Sequence, residues 1–152
     1  MTRMNDPGMQ VTPRKGSQTV QNILTRSAIG SIISLVVQYI LGMINTLFVT
    51  FPDTTDRARL WTYAWTHVTE ALHIILGVFM LLSAPVFLIR AIKAKHPTWV
   101  VASAFGLAGI IMAFAGGALF VTTQADPYSL IMSYGFLVAL VAYGWGLYST
   151  RK

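Results

Sequence analysis

Cysteine is absent from this 152-residue chain, and charged residues are scarce, at 11% of the total. The lack of thiols excludes disulfides, thiolate metal sites, c-type haem attachment and cysteine nucleophiles. The low charge content sets the chain apart from soluble domains, in which about a quarter of the residues are charged. Apolar side chains are in excess instead, at 55%. This balance indicates a membrane protein.

Four apolar segments account for the excess, at about 28–49, 61–90, 98–122 and 127–149. Each is long enough to cross a hydrocarbon core of ~30 Å as a helix that rises ~1.5 Å per residue. Short connections favour antiparallel neighbours. We therefore predict an all-α integral membrane protein, an up-down four-helix bundle over 27–150. Residues 1–26 are predicted to be a flexible basic segment, in which a short interfacial helix from Ser17 is an equal alternative.

The basic residues are unevenly distributed between the two predicted ends of the bundle. Nine of the eleven Lys and Arg residues fall in the N-terminal segment, the 90–95 connection and the C-terminus, whereas the other two connections hold only Arg57 and Arg59. The positive-inside rule then places both termini in the cytoplasm. We expect a multi-pass protein of the inner (cytoplasmic) membrane of a prokaryote.

The net charge of +6 does not indicate nucleic acid as a partner. Nucleic-acid binding favours basic residues interleaved with aromatics on a soluble face, whereas here the cations flank apolar runs. In that position they set topology or meet anionic lipid headgroups. The expected partners are the lipid bilayer and either further copies of the chain or a larger membrane complex.

Two of the apolar segments carry stripes of small or polar residues at helical spacing. In the first segment the stripe is polar, and in the third it is almost free of side chains, which predicts a close helix contact. The first stripe predicts either helix packing, which we favour, or the lining of a site around Gln38 and Asn45. The stripes comprise Ser31, Ser34, Gln38, Gly42 and Asn45, and Ala102, Gly106, Gly109, Ala113 and Gly116.

The second segment contains three titratable residues, His67, Glu70 and His73, which a single helix would place on one broad face. Ionisable groups within a membrane span are expensive and indicate function. Three interpretations stay open. The first is a structural polar cluster, with Glu70 hydrogen-bonded to Asn45, Tyr134 or a neighbouring histidine. The others are a b-type haem site with His73 or His67 as axial ligand, and a proton- or ion-handling site. Steps of three do not favour a metal site.

The sequence Glu70-Ala-Leu-His73 resembles the Glu-x-x-His-Arg element of the haem A synthase family. That family's repeating unit is a four-helix bundle with its N-terminus inside. The resemblance implies a catalytic or haem-neighbouring role for Glu70 and haem ligation by His73. The chain departs from the family in having Ile74 in place of the arginine and no histidine in its fourth apolar segment. The resemblance therefore implies a degenerate relative, or a half that dimerises.

The predicted function is that of an accessory or structural component of the membrane. The alternatives are a b-type haem protein, with haem b as cofactor, and a proton- or ion-coupled component. No pair of broken helices or inverted repeat indicates a complete transporter. Whether the chain catalyses a reaction is left open.

Overall fold

The computed structural model describes residues 15–150, and side chains from residue 18 onward. Within this part the chain is all-helical, as predicted, and four of its helices are long and apolar enough to cross a membrane. Much of the predicted flexible segment, up to residue 14, lies outside the described residues. The helices are α1 (Lys15–Phe48), α2 (Arg57–Thr66), α3 (Val68–Lys93), α4 (Pro97–Thr123) and α5 (Asp126–Ser149).

The first helix begins earlier than predicted. It runs without interruption from Lys15 through the first apolar segment, a length of ~51 Å at ~1.5 Å per residue. Its early turns pack inward, since Leu24 is only 1% exposed and Ala28 is buried. The Gln21 side chain also donates a hydrogen bond to the Thr150 carbonyl, with N···O 3.3 Å. In the structure, these turns are part of the first span's own helix and pack against α5.

The second predicted span, 61–90, is divided at His67 into two helices. The backbone of His67 is extended (φ −90°, ψ 117°), so it ends α2 and precedes α3. Side chains compete for the carbonyl of Tyr63, which accepts from Thr66 Oγ1 at 2.8 Å and from His67 Nδ1 at 2.9 Å. Such local side-chain bonds offer the backbone an alternative to the regular helix ladder. The prediction of one continuous helix was wrong here.

Helix α2 starts within the predicted outer connection because Asp56 caps it. Asp56 Oδ1 accepts from the backbone N–H groups of Ala58, at 3.0 Å, and Arg59, at 3.4 Å. A capping carboxylate satisfies amides that have no partner within the helix. The Tyr63 hydroxyl then donates to the Thr50 carbonyl at 2.7 Å, which fastens the connection onto α2.

The small-residue stripe of α4 meets α5 of the same chain. A Cβ atom added to Gly109 would lie 2.6 Å from the Gly135 carbonyl oxygen and 2.7 Å from the Ala139 nitrogen. A Cβ on Gly116 would lie 2.7 Å from the Met132 nitrogen. Only glycine allows the two backbones to approach this closely. The α4–α5 contact is the most extensive between helices in the described part of the chain.

The third glycine of that stripe, Gly106, makes room for an aromatic side chain. The ring of Tyr143 from α5 lies directly over Gly106, and Tyr143 is fully buried. Tyr143 also stacks on Phe87 of α3 with 5.5 Å between ring centroids, and Phe87 contacts buried Trp99 at 5.8 Å. These aromatic rings join α3, α4 and α5 in the core.

Large apolar side chains cover the outward faces of the long helices. An aqueous surface of this composition would be unfavourable, but it suits contact with lipid acyl chains, whose polarity matches these side chains. Exposed examples occur on all four of the long helices, among them Leu47, Leu82, Phe105 and Val141.

Candidate functional site

Two amide side chains of α1 bind backbone carbonyls of α3. Gln38 Nε2 donates to the His73 oxygen at 3.0 Å, and Asn45 Nδ2 donates to the Thr69 oxygen at 3.4 Å. Both acceptors belong to a helix, whose carbonyls keep a second lone pair for such bonds. The polar stripe predicted on α1 therefore faces α3, and its two amides link the helices at levels about one turn of α3 apart.

Each of these amides leaves its own oxygen buried and unpaired. Because a carbonyl can only accept, the nitrogens of Gln38 and Asn45 must face α3, which directs Oε1 and Oδ1 elsewhere. Neither oxygen has a hydrogen-bond partner among the described residues, although Asn45 is only 6% exposed. A buried acceptor without a partner costs about 1–3 kcal/mol. The site therefore needs further donors beside the α1–α3 contact.

The imidazole of His73 lies between these two amides, against a glycine of α1. A Cβ atom added to Gly42 would lie 3.2 Å from His73 Cε1 and 3.7 Å from Nδ1. His73 Nδ1 is itself buried without a hydrogen-bond partner in the described part. Gly77 of α3 makes room in the same way for a side chain of α1, because a Cβ on Gly77 would lie 3.3 Å from Gln38 Nε2. The glycines thus admit polar side chains into the helix contact.

Glu70 is buried near the start of α3, with 8% of its surface exposed. It is the third residue after the break at His67, and so lies in the first turn of a new helix. Unpaired N–H groups and the helix dipole make a helix N-terminus favourable for a carboxylate. The break at His67 therefore lowers the cost of keeping this carboxylate inside an apolar bundle.

The hydrogen bonds expected for Glu70 do not form among the described residues. Asn45 gives its amide to the Thr69 carbonyl instead, and Tyr134 on α5 is 56% exposed. The one ion pair between described side chains is the exposed Arg59–Asp56 pair, at 3.4 Å. A fully satisfied polar cluster around Glu70 is thus not what the structure contains.

His67 lies close enough to Glu70 for an electrostatic interaction, but its ring is held within its own segment. Its Nδ1 lies 2.9 Å from the Tyr63 carbonyl, which can only accept, so Nδ1 carries a proton that it donates. Its ring stacks on Tyr63 at 3.8 Å between centroids. The predicted shared helical face is lost at the break. Within residues 15–150, no three His, Cys, Asp or Glu residues are close enough to hold a metal ion.

The predicted haem site has His73 or His67 as its axial ligand. The histidines of the described part do not face one another across a shared cleft, as ligation by two of them within one chain would require. His73 instead has one edge in contact with Gly42, His67 lies on the same chain segment, and His96 is at the other end of α3. An apolar groove of about 510 Å³ between α4 and α5 and a smaller depression beside Tyr63 both lie away from His73.

Sequence reasoning missed two buried polar groups in the core. The Tyr143 hydroxyl and Trp99 Nε1 are buried with no hydrogen-bond partner among the described residues. Tyr143 Oη faces Ser31 of the α1 polar stripe without completing a hydrogen bond. The available signal was a tyrosine within an apolar helix and a glycine in the neighbouring one, but only the fold pairs Tyr143 with Gly106.

No family model, curated protein or solved structure matches this chain. The account of its function therefore rests on the residues and contacts described above.

Proposed function

We propose that this chain is a small multi-pass protein of a prokaryotic cytoplasmic membrane, an up-down bundle with both termini in the cytoplasm. Four long apolar helices support this proposal. The order of contacts between α1 and α3 supports the up-down arrangement. Gln38 contacts His73 and the later Asn45 contacts the earlier Thr69, so the two helices run in opposite directions. The excess of cations on the side of the termini supplies the orientation.

A reporter that is active only in the cytoplasm tests this orientation. Fused after Lys152, the reporter should be active, and inserted after Asp53 it should be silent. Activity at Asp53 together with silence at Lys152 would contradict the proposed orientation. Equal activity at both positions would contradict the number of spans.

Within the membrane, the role that the geometry supports best is that of an accessory or structural component of a larger assembly. The observation that supports this role is the shape of the contact between α4 and α5. The glycines of this contact bring the two backbones together, while its outer side forms an open apolar groove lined in part by Phe105, Val141 and Trp145. When the protein is extracted from its native membrane into lipid nanodiscs, the mass of the protein component should therefore exceed that of one 16.7 kDa chain. A monomer extracted from its native membrane would contradict an accessory role.

A second candidate, a proton-handling component, is favoured by a specific observation. Three buried polar atoms without partners, Gln38 Oε1, Asn45 Oδ1 and His73 Nδ1, lie along one helix contact that also holds Glu70 near its end. Buried polar atoms of this kind are normally satisfied by ordered water. Water beside a carboxyl group and an imidazole is the usual medium for proton transfer through a membrane protein.

The resemblance to haem A synthase provides an independent test. If His73 ligated haem, the purified protein would show a Soret band, which His73→Ala would remove without unfolding the chain. Because we propose an accessory or structural role, we expect no such band. A reduced-minus-oxidised spectrum of the protein isolated from its native membrane distinguishes the two outcomes.

A further inference from the structure

The polar stripe of α1 carries or adjoins four of the six buried polar side-chain atoms that lack partners in the described part of the chain. Gln38 and Asn45 belong to the stripe, the His73 ring rests on its Gly42, and the Tyr143 hydroxyl faces its Ser31. These atoms come from three different helices and could have been scattered through the protein. Because all of them lie on or beside one face of α1, we treat them as a single feature.

The spacing along the stripe matches what single water molecules bridge. Ser31, Ser34 and Gln38 are three and four residues apart, which is a rise of ~4.5–6 Å along the helix, and the His73 ring at Gly42 lies between Gln38 and Asn45. One water with two hydrogen bonds of ~2.8 Å at a roughly tetrahedral angle joins groups ~4.5 Å apart, and at most about 5.6 Å. From Asn45 to Ser31 the rise is ~21 Å, about two thirds of a hydrocarbon core of ~30 Å.

We propose that this stripe holds a file of water molecules that carries protons between the two ends of the bundle. This inference deepens the proton-handling candidate and rests on the chain spanning the membrane. A proton enters on the Glu70 carboxylate and passes to the adjoining water. Each water then accepts one proton and releases another. The file returns to its starting state, so the net change is transfer of one proton down its gradient.

The polar groups follow one another from one end of the proposed file to the other. Glu70 is at one end, in the first turn of α3, and the His73 imidazole is one turn further along. The Gln38 amide oxygen accepts from the next water and orients it. The Tyr143 hydroxyl, which both donates and accepts, stands near the other end. Beyond it, the unpaired N–H of Trp99 lies in the first turn of α4, where the bundle meets the basic connection.

A metal cation fits this arrangement less well than a proton. Hard cations need several oxygen ligands that converge on one point. The side-chain oxygens of Gln38 and Asn45 originate seven residues apart, ~10 Å along α1. A file with such spacing can pass a proton from water to water, but it cannot replace the hydration shell of an ion.

Proton flux into liposomes tests the proposal. The purified full-length protein is reconstituted into liposomes that contain a pH-sensitive dye, and a potassium gradient with valinomycin supplies the driving force. The wild type should move protons faster than protein-free liposomes. Tyr143→Phe removes one hydroxyl from the file and should lower the flux at least tenfold, as should Glu70→Gln, which keeps the shape of the side chain but cannot titrate.

The same substitution elsewhere on α5 provides the matched control. Tyr134→Phe also removes a phenolic hydroxyl, but Tyr134 is exposed on the outside of the bundle. The proton flux of this variant should therefore equal that of the wild type. Tyr143→Phe should keep its fold because phenylalanine retains the ring that packs over Gly106 and stacks on Phe87. Circular dichroism and the melting temperature check this for every variant.

The possible outcomes separate this inference from the proposed membrane role. Wild-type flux no greater than that of empty liposomes, with the protein shown by protease protection to span the bilayer, would mean that any water is only structural. Flux that survives both Tyr143→Phe and Glu70→Gln would place the path elsewhere. Either result overturns the proton file and leaves the membrane role standing. Failure to span the bilayer would overturn both.

Discussion

Adding one methyl group at Gly109 should measurably weaken the bundle. In Gly109→Ala, the new Cβ would lie 2.6 Å from the Gly135 carbonyl oxygen and 2.7 Å from the Ala139 nitrogen, both of them backbone atoms of α5. A backbone cannot swing aside as a flexible side chain can. To restore an ordinary separation of about 3.4 Å, the two helices must move apart locally by ~0.8 Å.

The magnitude follows from two opposing terms. A radial gap of 0.5–1 Å forfeits about a quarter to a half of each van der Waals well along the contact, and forced overpacking typically costs ~1–3 kcal/mol. Alanine also has the higher helix propensity, by about 1 kcal/mol in favour of the variant. A glycine-to-alanine change in open space gains the same helix propensity, so comparing the two variants cancels that gain and leaves only the steric cost. We therefore expect Gly109→Ala to be ~1–3 kcal/mol less stable than such a control.

Gly144 of α5 supplies the control, because a Cβ added there would meet nothing within 4 Å. The free energy of unfolding of both variants can be measured by titration with SDS in mixed micelles, followed by helical circular dichroism. Gly109→Ala should unfold at a lower SDS fraction than Gly144→Ala. Equal stability of the two variants would refute the close backbone contact between α4 and α5.

Two further predictions concern other parts of the chain. Asp56→Ala should lower stability by ~0.5–2 kcal/mol, because α2 loses the carboxylate that caps its first amides, whereas Asp53→Ala should change it by less than about 0.5 kcal/mol in the same titration. Gly42→Leu should lower the melting temperature in detergent, because the new side chain displaces the His73 ring. Gly30→Leu, on the same helix but with nothing within 4 Å of its Cβ, should leave the melting temperature unchanged, and equal melting of these two would place His73 away from α1.

The sequence predicted the helical class and the four apolar segments because both depend on length and composition. A run of 20 or more apolar residues has few alternatives once water is excluded from its backbone. The division of the second span was not predictable in this way. It depends on Thr66 and His67 sharing the carbonyl of Tyr63, and hydropathy does not register that competition.

The polar face of α1 was predicted from the sequence, but the groups that it contacts were not. Helical spacing identified Gln38 and Asn45 as one face, but it could not show that their partners are carbonyls of α3. Glu70 was expected to find a side-chain hydrogen bond, and the structure places it in the first turn of a helix instead. Tyr143 was missed, since its meeting with the α1 stripe depends on how distant segments pack.

The break at His67 connects these findings. A continuous second span would carry Glu70 in mid-helix, where all backbone amides are already bonded. Division of the span creates a helix start inside the apolar bundle, and its free amides favour a carboxylate. The buried carboxylate and the interrupted helix are therefore two aspects of one structural feature.

The most direct test of the hydrated α1 stripe is an experimental structure in lipid at a resolution that shows ordered water. We predict water molecules within about 3.2 Å of Gln38 Oε1, Asn45 Oδ1, His73 Nδ1 and the Tyr143 hydroxyl, at intervals that continue along α1. A dry contact in which protein groups satisfy these four atoms would contradict the water file and the proton path built on it.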